Sequence, residues 1–307
     1  MHLIEEAIAE VRSLFPDWER TVPRKIWPVV ETTAYEAPVG EVQDFLEKYR
    51  AVGKEWGFHP HAPFVRRILK YVLFILAHPV MSGVGHLETA LAILASGKVK
   101  RLIMVTNHLS YADANLLATL LQPLLVAKGF ENDFSVVVGP KVYNEKFKAF
   151  SSLHFNSLLI AQSLAVATKE AVLPLKEIAR AAKKVMSDIK EKVRILLIFP
   201  EGSRSRTGNM NRFLPGVLKL IEAGDGETVV VPAAILGGEK ILPIHDHTLH
   251  EARVDVCFGA PILLSEMHAR YGQGESSKQA IMDFLGYRVS LCLPPERRGF
   301  YADYPHE

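Results

Sequence analysis

The sequence predicts an α/β fold with a mixed, largely parallel sheet flanked by helices and a helical N-terminal subdomain. Three observations carry this. From residue 99 onward, short apolar runs of strand type alternate with longer runs of helical periodicity, the pattern of a parallel sheet with crossover helices. Before that point the chain reads as helices separated by proline-rich breaks. With 307 residues, 49% hydrophobic and 23% charged, it can bury a sizeable core and is not a disordered chain.

In order along the chain, Leu3, Ile4, Ala7, Ile8, Val11 and Leu14 recur at helical spacing, so a helix is expected over residues 2–14. Further helices are expected over 39–52, 64–77 and 85–96, punctuated by Pro16, Pro23, Pro28, Pro38, Pro60, Pro63 and Pro79. A turn at "ASGK" sets the expected boundary near residue 96, giving a helical region 1–96 and an α/β core 97–307. Within the core, "KRLIMVT" reads as a buried strand and "YADANLLATLLQPLL" as a helix. Residues 133–139 form the next expected strand. A strong helix is expected over 173–192, with Pro174 suited to its first turn. Strands are then expected over 193–199, 228–236 and 252–259.

The net charge of +2 is too small for a general nucleic-acid binder. Two cysteines, Cys257 and Cys292, do not make a disulfide framework, which favours a reducing, cytoplasmic setting. The N-terminus lacks the basic start and apolar middle of a signal peptide. The most apolar window, "YVLFILA", is short of the roughly 20 residues needed to span a bilayer. Arg66, Arg67 and Lys70 before it invite a surface-lying membrane helix, but no amphipathic face stands out in the window and a buried core helix is favoured.

Two polar stretches directly follow expected strands, where open α/β sheets place ligands. The first is "TNHLSYADANLL", residues 106–117. Here Ser110 suits a helix cap, and Asp113, three residues on, suits the reciprocal acid of a capping box. His108 and Asp113 equally suit a base and its orienter: a carboxylate on one ring nitrogen fixes the tautomer that leaves the other free to take a proton. The second is "FPEGSRSRTG", residues 199–208, whose paired arginines suit phosphate and whose glycines permit close backbone approach. It is not a P-loop.

Together, Asn107-His108 with Asp113, and Phe199-Pro200-Glu201-Gly202-Ser203-Arg204-Ser205-Arg206, resemble the glycerolipid acyltransferase family, which includes the lysophosphatidate and glycerol-3-phosphate acyltransferases. Residues 136–150 stand where that family has its second block, with Lys141 at a basic position, and "TVVVPAAI" with Pro232 is similar to its fourth. The resemblance covers roughly residues 85–240. The second block lacks the usual aromatic-rich stretch, and Ser203 stands where many relatives have threonine. The long helical leader looks like the soluble glycerol-3-phosphate enzymes, whereas "PEGSRSRTG" looks like the lysophosphatidate branch, so both acceptors stay open.

The resemblance implies acyl transfer from a thioester, acyl-coenzyme A or acyl-carrier protein, to a glycerol phosphate hydroxyl in phospholipid synthesis. His108 is then the catalytic base and Asp113 its orienter, with Asn107, Gly202 and Ser203 in the substrate-binding motifs. Arg204, Arg206 and Lys141 hold the phosphate, while Glu201 positions a hydroxyl or an arginine. Backbone N–H groups at the start of the following helix stabilise the oxyanion. No metal or redox cofactor is implied. The helices of residues 64–96 and the stretch 155–167 are expected to line an acyl groove. The basic face of "KEIARAAKKVMSDIKEK" suits an acidic carrier protein, although a solvated helix face is the commoner role. The implied setting is cytoplasmic, with peripheral contact on the inner membrane face left open.

Three other readings compete. A hydrolase would use Ser110 or Ser203, but neither lies in G-x-S-x-G. A metal site would use His245, Asp246, His247 and His250, although a polar loop between strands is favoured there. A lipid- or carrier-binding module would need no turnover, against which stand the intact His108 and Asp113.

Overall fold

In the computed structural model, residues 2–15, 17, 21–161, 175–243 and 248–304 are described. The first helices are α1 (His2–Ser13), α2 (Ile26–Tyr35) and α3 (Val39–Ala51). A short strand β1 (Gly57–His59) leads to α4 (Pro63–Leu76), β2 (Ala77–Ser82) and α5 (Val84–Ala95). The sequence reading missed α2, whose Pro28 sits in the first turn, where a missing N–H costs nothing. It also missed both strands. β2 begins at the residue after α4 and carries Pro79, tolerated because β2 lies at the end of the sheet.

Among the described residues, nine strands form one sheet in the order β1-β5-β4-β6-β3-β7-β8-β2, with β9 (Ile262–Leu263) pairing β7. The remaining strands are β3 (Arg101–Thr106), β4 (Phe134–Val138), β5 (Asn156–Leu159), β6 (Ile195–Ile198), β7 (Thr228–Leu236) and β8 (Ala252–Phe258). The β5–β4–β6–β3–β7 run and the β8–β2 pair are parallel, and β1–β5, β7–β8 and β7–β9 are antiparallel. The sheet is therefore mixed and largely parallel, as expected. The N-terminal region is not a purely helical attachment, because β1 and β2 supply the two ends of the sheet path.

β3 shows why the sequence makes this core. Leu102 and Met104 face the N-terminal helices, while Ile103 and Val105 join the opposite cluster with Val185, Ile189, Ile281 and Leu285. A strand covered on both faces has no polar side, so its sequence is a continuous apolar run. All four side chains are fully buried, each stabilising the fold by about 1.5–3 kcal/mol. α4 is more one-sided than its sequence suggested: Phe64, Val65, Ile68, Leu69, Val72, Leu73 and Leu76 are buried, and Tyr71 and Phe74 are exposed. Arg67 pairs with Glu41, and Arg66 donates to the Glu131 carbonyl, so this basic end is tied into the protein. Among the described residues, no helix is long and apolar enough to cross a membrane.

Helix α6 (Ala112–Ala127) follows β3, and α7 (Lys146–Ser152) precedes β5. α8 (Leu175–Lys192) precedes β6, and the short α9 (Leu218–Ile221) and α10 (Gly238–Ile241) flank β7. Pro174, expected in the first turn of α8, lies outside the described residues, as do His245, Asp246 and His247. α11 (Leu264–Tyr271) and α12 (Lys278–Ser290) follow β9. At Gly286 in α12 an added Cβ would overlap the ring of Tyr301, itself buried and accepting the Phe213 N–H. Alanine gains about 1 kcal/mol in helix propensity, but overpacking against a rigid buried ring costs about 1–3 kcal/mol. Gly286→Ala should therefore lower stability by up to about 2 kcal/mol in urea denaturation, the overpacking outweighing the propensity.

Candidate active site

The register Val105↔Ile198 brings the ends of β3 and β6 side by side, and Thr106↔Ala233 brings β7 alongside on the other flank. The two polar loops thus leave the same edge of the sheet from adjacent parallel strands. Ser205 N–H donates to the His108 carbonyl at 2.8 Å and links the loops directly.

His108 Nδ1 lies 3.0 Å from Asp113 Oδ2. The same oxygen accepts the N–H groups of Leu109 (2.6 Å) and Ser110 (2.7 Å). Asp113 is fully buried and cannot turn away, so it both caps the helix start and holds the imidazole. With Nδ1 engaged, Nε2 is the ring nitrogen available to substrate. The ring stacks on Phe199 at 4.0 Å between centroids and lines a cavity of about 900 Å³.

Several residues expected at the substrate serve the scaffold instead. Asn107 accepts the Ile235 N–H and donates to the Ile235 carbonyl, both at 2.9 Å, and clips β3 to β7. Glu201 contacts neither an arginine nor the open cavity. Its Oε1 accepts the His108 N–H, and its Oε2 accepts both the backbone and side-chain N–H of Asn211. Ser110 is buried; its hydroxyl donates to the Leu242 carbonyl and accepts the Ala112 N–H, so it is no free nucleophile. Ser203 is exposed and does not line the cavity. The hydrolase reading loses both its candidates. Of the expected oxyanion donors at the helix start, the N–H groups of Leu109, Ser110, Ala112 and Asp113 already have partners.

The cations sort by geometry. Arg204 stacks on the Tyr111 ring, its Cζ 3.7 Å from the centroid. Lys148, absent from the sequence reading, places Nζ 3.9 Å from the same ring, lines the cavity and pairs with Glu145. Lys141 is exposed on the turn Pro140–Asn144, outside the cavity wall, and Arg206 is likewise exposed. The turn of α7 carries Lys148 inward, a phase that residue spacing in the loosely patterned second block did not reveal. Gly202 does line the cavity, at φ +71°, and an added Cβ would strike Leu214.

Beyond His108 most of the cavity wall is apolar, with Asn115, Lys148, Ser151, Ser152, Lys219 and Glu222 also reaching it. Val136 and Val138 of β4, Ile160, and Ile178, Ala182 and Val185 of α8 contribute to its wall. Phe155, Ile160 and Ala161 come from the stretch expected to line an acyl groove; its residues 162–167 lie outside the described ones. The helices of residues 64–96 do not reach this wall. Among the described residues, no three His, Cys, Asp or Glu side chains cluster as a metal site.

Burial pushes Glu201 up to about 7, against the hydrogen bonds it accepts, with Asp113 adding to the rise. The folded chain then holds a proton that the unfolded chain has released between about pH 4.5 and 7. Stability from this group falls as pH rises through that window. Glu201→Gln should flatten the pH dependence of unfolding free energy between pH 5 and 7.5 in urea titrations. It should also lower turnover, because one amide N–H replaces an acceptor.

Residues 95–236 match the family model described as Acyltransferase. No curated protein matches the sequence. Among solved structures, the chain is similar to the crystal structure of the 1-acyl-sn-glycerophosphate (LPA) acyltransferase PlsC from Thermotoga maritima. That match is 14% identical, covers 94% of this chain and 95% of that chain, and has a TM-score of 0.44. The matched segment contains the paired His108 and Asp113, the loop from Phe199 to Arg206 and the strands that bring them together, so the similarity to acyltransferases and the geometry of the site fall on the same residues.

Proposed function

We propose that the protein acylates the free hydroxyl of a 1-acylglycerol-3-phosphate, using an acyl thioester of coenzyme A or a carrier protein. The observation that carries this is the apolar cavity of about 900 Å³ that opens at His108 beside two cations on the Tyr111 ring. Its volume is at the upper end of the roughly 300–1,000 Å³ of small-molecule sites, which favours an acceptor bringing its own apolar chain. The "PEGSRSRTG" loop, similar to the lysophosphatidate branch, supports the same choice over glycerol-3-phosphate.

His108 Nε2 removes the hydroxyl proton as the oxygen attacks the thioester carbonyl. The new C–O bond forms, the C–S bond breaks, and the proton passes from the imidazolium to the departing thiolate. Asp113 holds Nδ1–H throughout and stabilises the cationic ring. Arg204 and Lys148 attract the acceptor phosphate: two cations gathered at one ring favour an anion beside them. The apolar wall takes hydrocarbon chain and keeps bulk water from the thioester.

His108→Ala should lower kcat by about 10²–10⁴ with the fold intact by circular dichroism. Mass-spectrometric detection of acylated product from palmitoyl-coenzyme A or palmitoyl-carrier protein is the test, with lysophosphatidate and glycerol-3-phosphate in parallel. Near-normal turnover in the variant would sink the base assignment, and product from glycerol-3-phosphate alone would sink the acceptor. Arg204→Ala and Lys148→Ala should each raise the acceptor KM about tenfold with a smaller change in kcat. Unchanged KM in steady-state kinetics would remove that residue from the phosphate site.

A further inference from the structure

One turn beyond Tyr111 on α6, Asn115 sets an amide in the wall of the largely apolar cavity. Its surroundings decide which way the amide points. Oδ1 lies 3.0 Å from Nδ1 of His154, and Nδ2 lies 3.5 Å from the Tyr111 carbonyl. Turned over, the amide would set its oxygen against that carbonyl, acceptor against acceptor. His154 is buried, and burial holds it down at about 3, so the ring is neutral. It therefore donates Nδ1–H to Oδ1 and pins the amide. Nδ2 is left with a contact at the limit of a hydrogen bond and no other partner among the described residues.

We propose that Asn115 Nδ2 donates to the ester carbonyl of the acceptor's existing acyl chain, making Asn115 a specificity-determining residue for 1-acyl over 1-alkyl acceptors. This rests on the acceptor proposed above. Tyr111 gathers the two cations that take the phosphate, and Asn115 sits one helical turn, about 5.4 Å, away. In a lysophosphatidate, the polar groups that near the phosphate are the free hydroxyl and the ester. The hydroxyl must face His108, which leaves the ester for Asn115. A carbonyl desolvated among Val136, Val138 and Phe155 needs a donor, and Asn115 supplies one already oriented.

The experiment compares kcat/KM for 1-acyl- and 1-O-alkyl-glycerol-3-phosphate in the wild type, Asn115→Ala and Asn115→Asp. Asn115→Asp keeps an acceptor for His154 and removes the donor, so it serves if the alanine variant folds poorly. The ratio of two acceptors measured on one preparation cancels any loss of folded protein. The wild type should favour the ester about tenfold, a hydrogen bond's worth of discrimination, and both variants should bring the ratio near one. A wild-type ratio near one, or a ratio unchanged in the variants while both rates fall together, overturns the assignment of Asn115 alone. Wild-type turnover of neither acceptor overturns the acceptor reading and this assignment with it.

Discussion

β3 lies between β6 and β7 and is parallel to both, and the site depends on that placement. Two loops separated by roughly ninety residues meet only because adjacent parallel strands end at the same edge. Asn107 completes the arrangement by bonding both backbone groups of Ile235 as β3 ends. His108, the next residue, is therefore held from three sides. Its amide is fixed by Glu201, its carbonyl by Ser205 and its ring by Asp113. In the proposed mechanism a base held this way loses little freedom on reaching the transition state, which is how a rigid scaffold contributes to rate.

The fold was legible wherever one period dominated. β3 and β7 are continuous apolar runs because both faces of the sheet are covered, and α8 keeps a helical period over its length. β1 and β2 were not legible: three residues carry no period, and "AHPVMS" is exposed after its first residue, with no burial to pattern it. The His108–Asp113 pair was legible because both partners lie in one short segment, where a cap and a base-orienter pair demand the same spacing. The roles of Asn107 and Glu201 were not, since their partners Ile235 and Asn211 come from other segments. Lys148 escaped for a related reason. Whether Lys141 or Lys148 faces the cavity depends on where a 3₁₀ turn gives way to α7, and composition does not record that phase.

Two buried carboxylates sit close to His108 and do different work. Glu201 accepts three N–H groups shared over both oxygens, and its task is to hold loops. Asp113 takes the two backbone N–H groups and the His108 contact on Oδ2, and its Oδ1 is buried without a hydrogen-bond partner. A buried oxygen left unsatisfied usually marks strain or function.

Gly238 helps explain how that oxygen stays unsatisfied. It opens α10 just after β7, and a Cβ there would collide with Asp113 Oδ1. The absent side chain lets the backbone press against the carboxylate without offering it a side-chain donor. In the proposed mechanism the ring takes the hydroxyl proton, and its positive charge then arrives 3.0 Å from the buried Oδ2, where Coulomb attraction is stronger than in bulk water. On that mechanism the pair gains more in the transition state than in the ground state, and only an interaction of that kind speeds a chemical step.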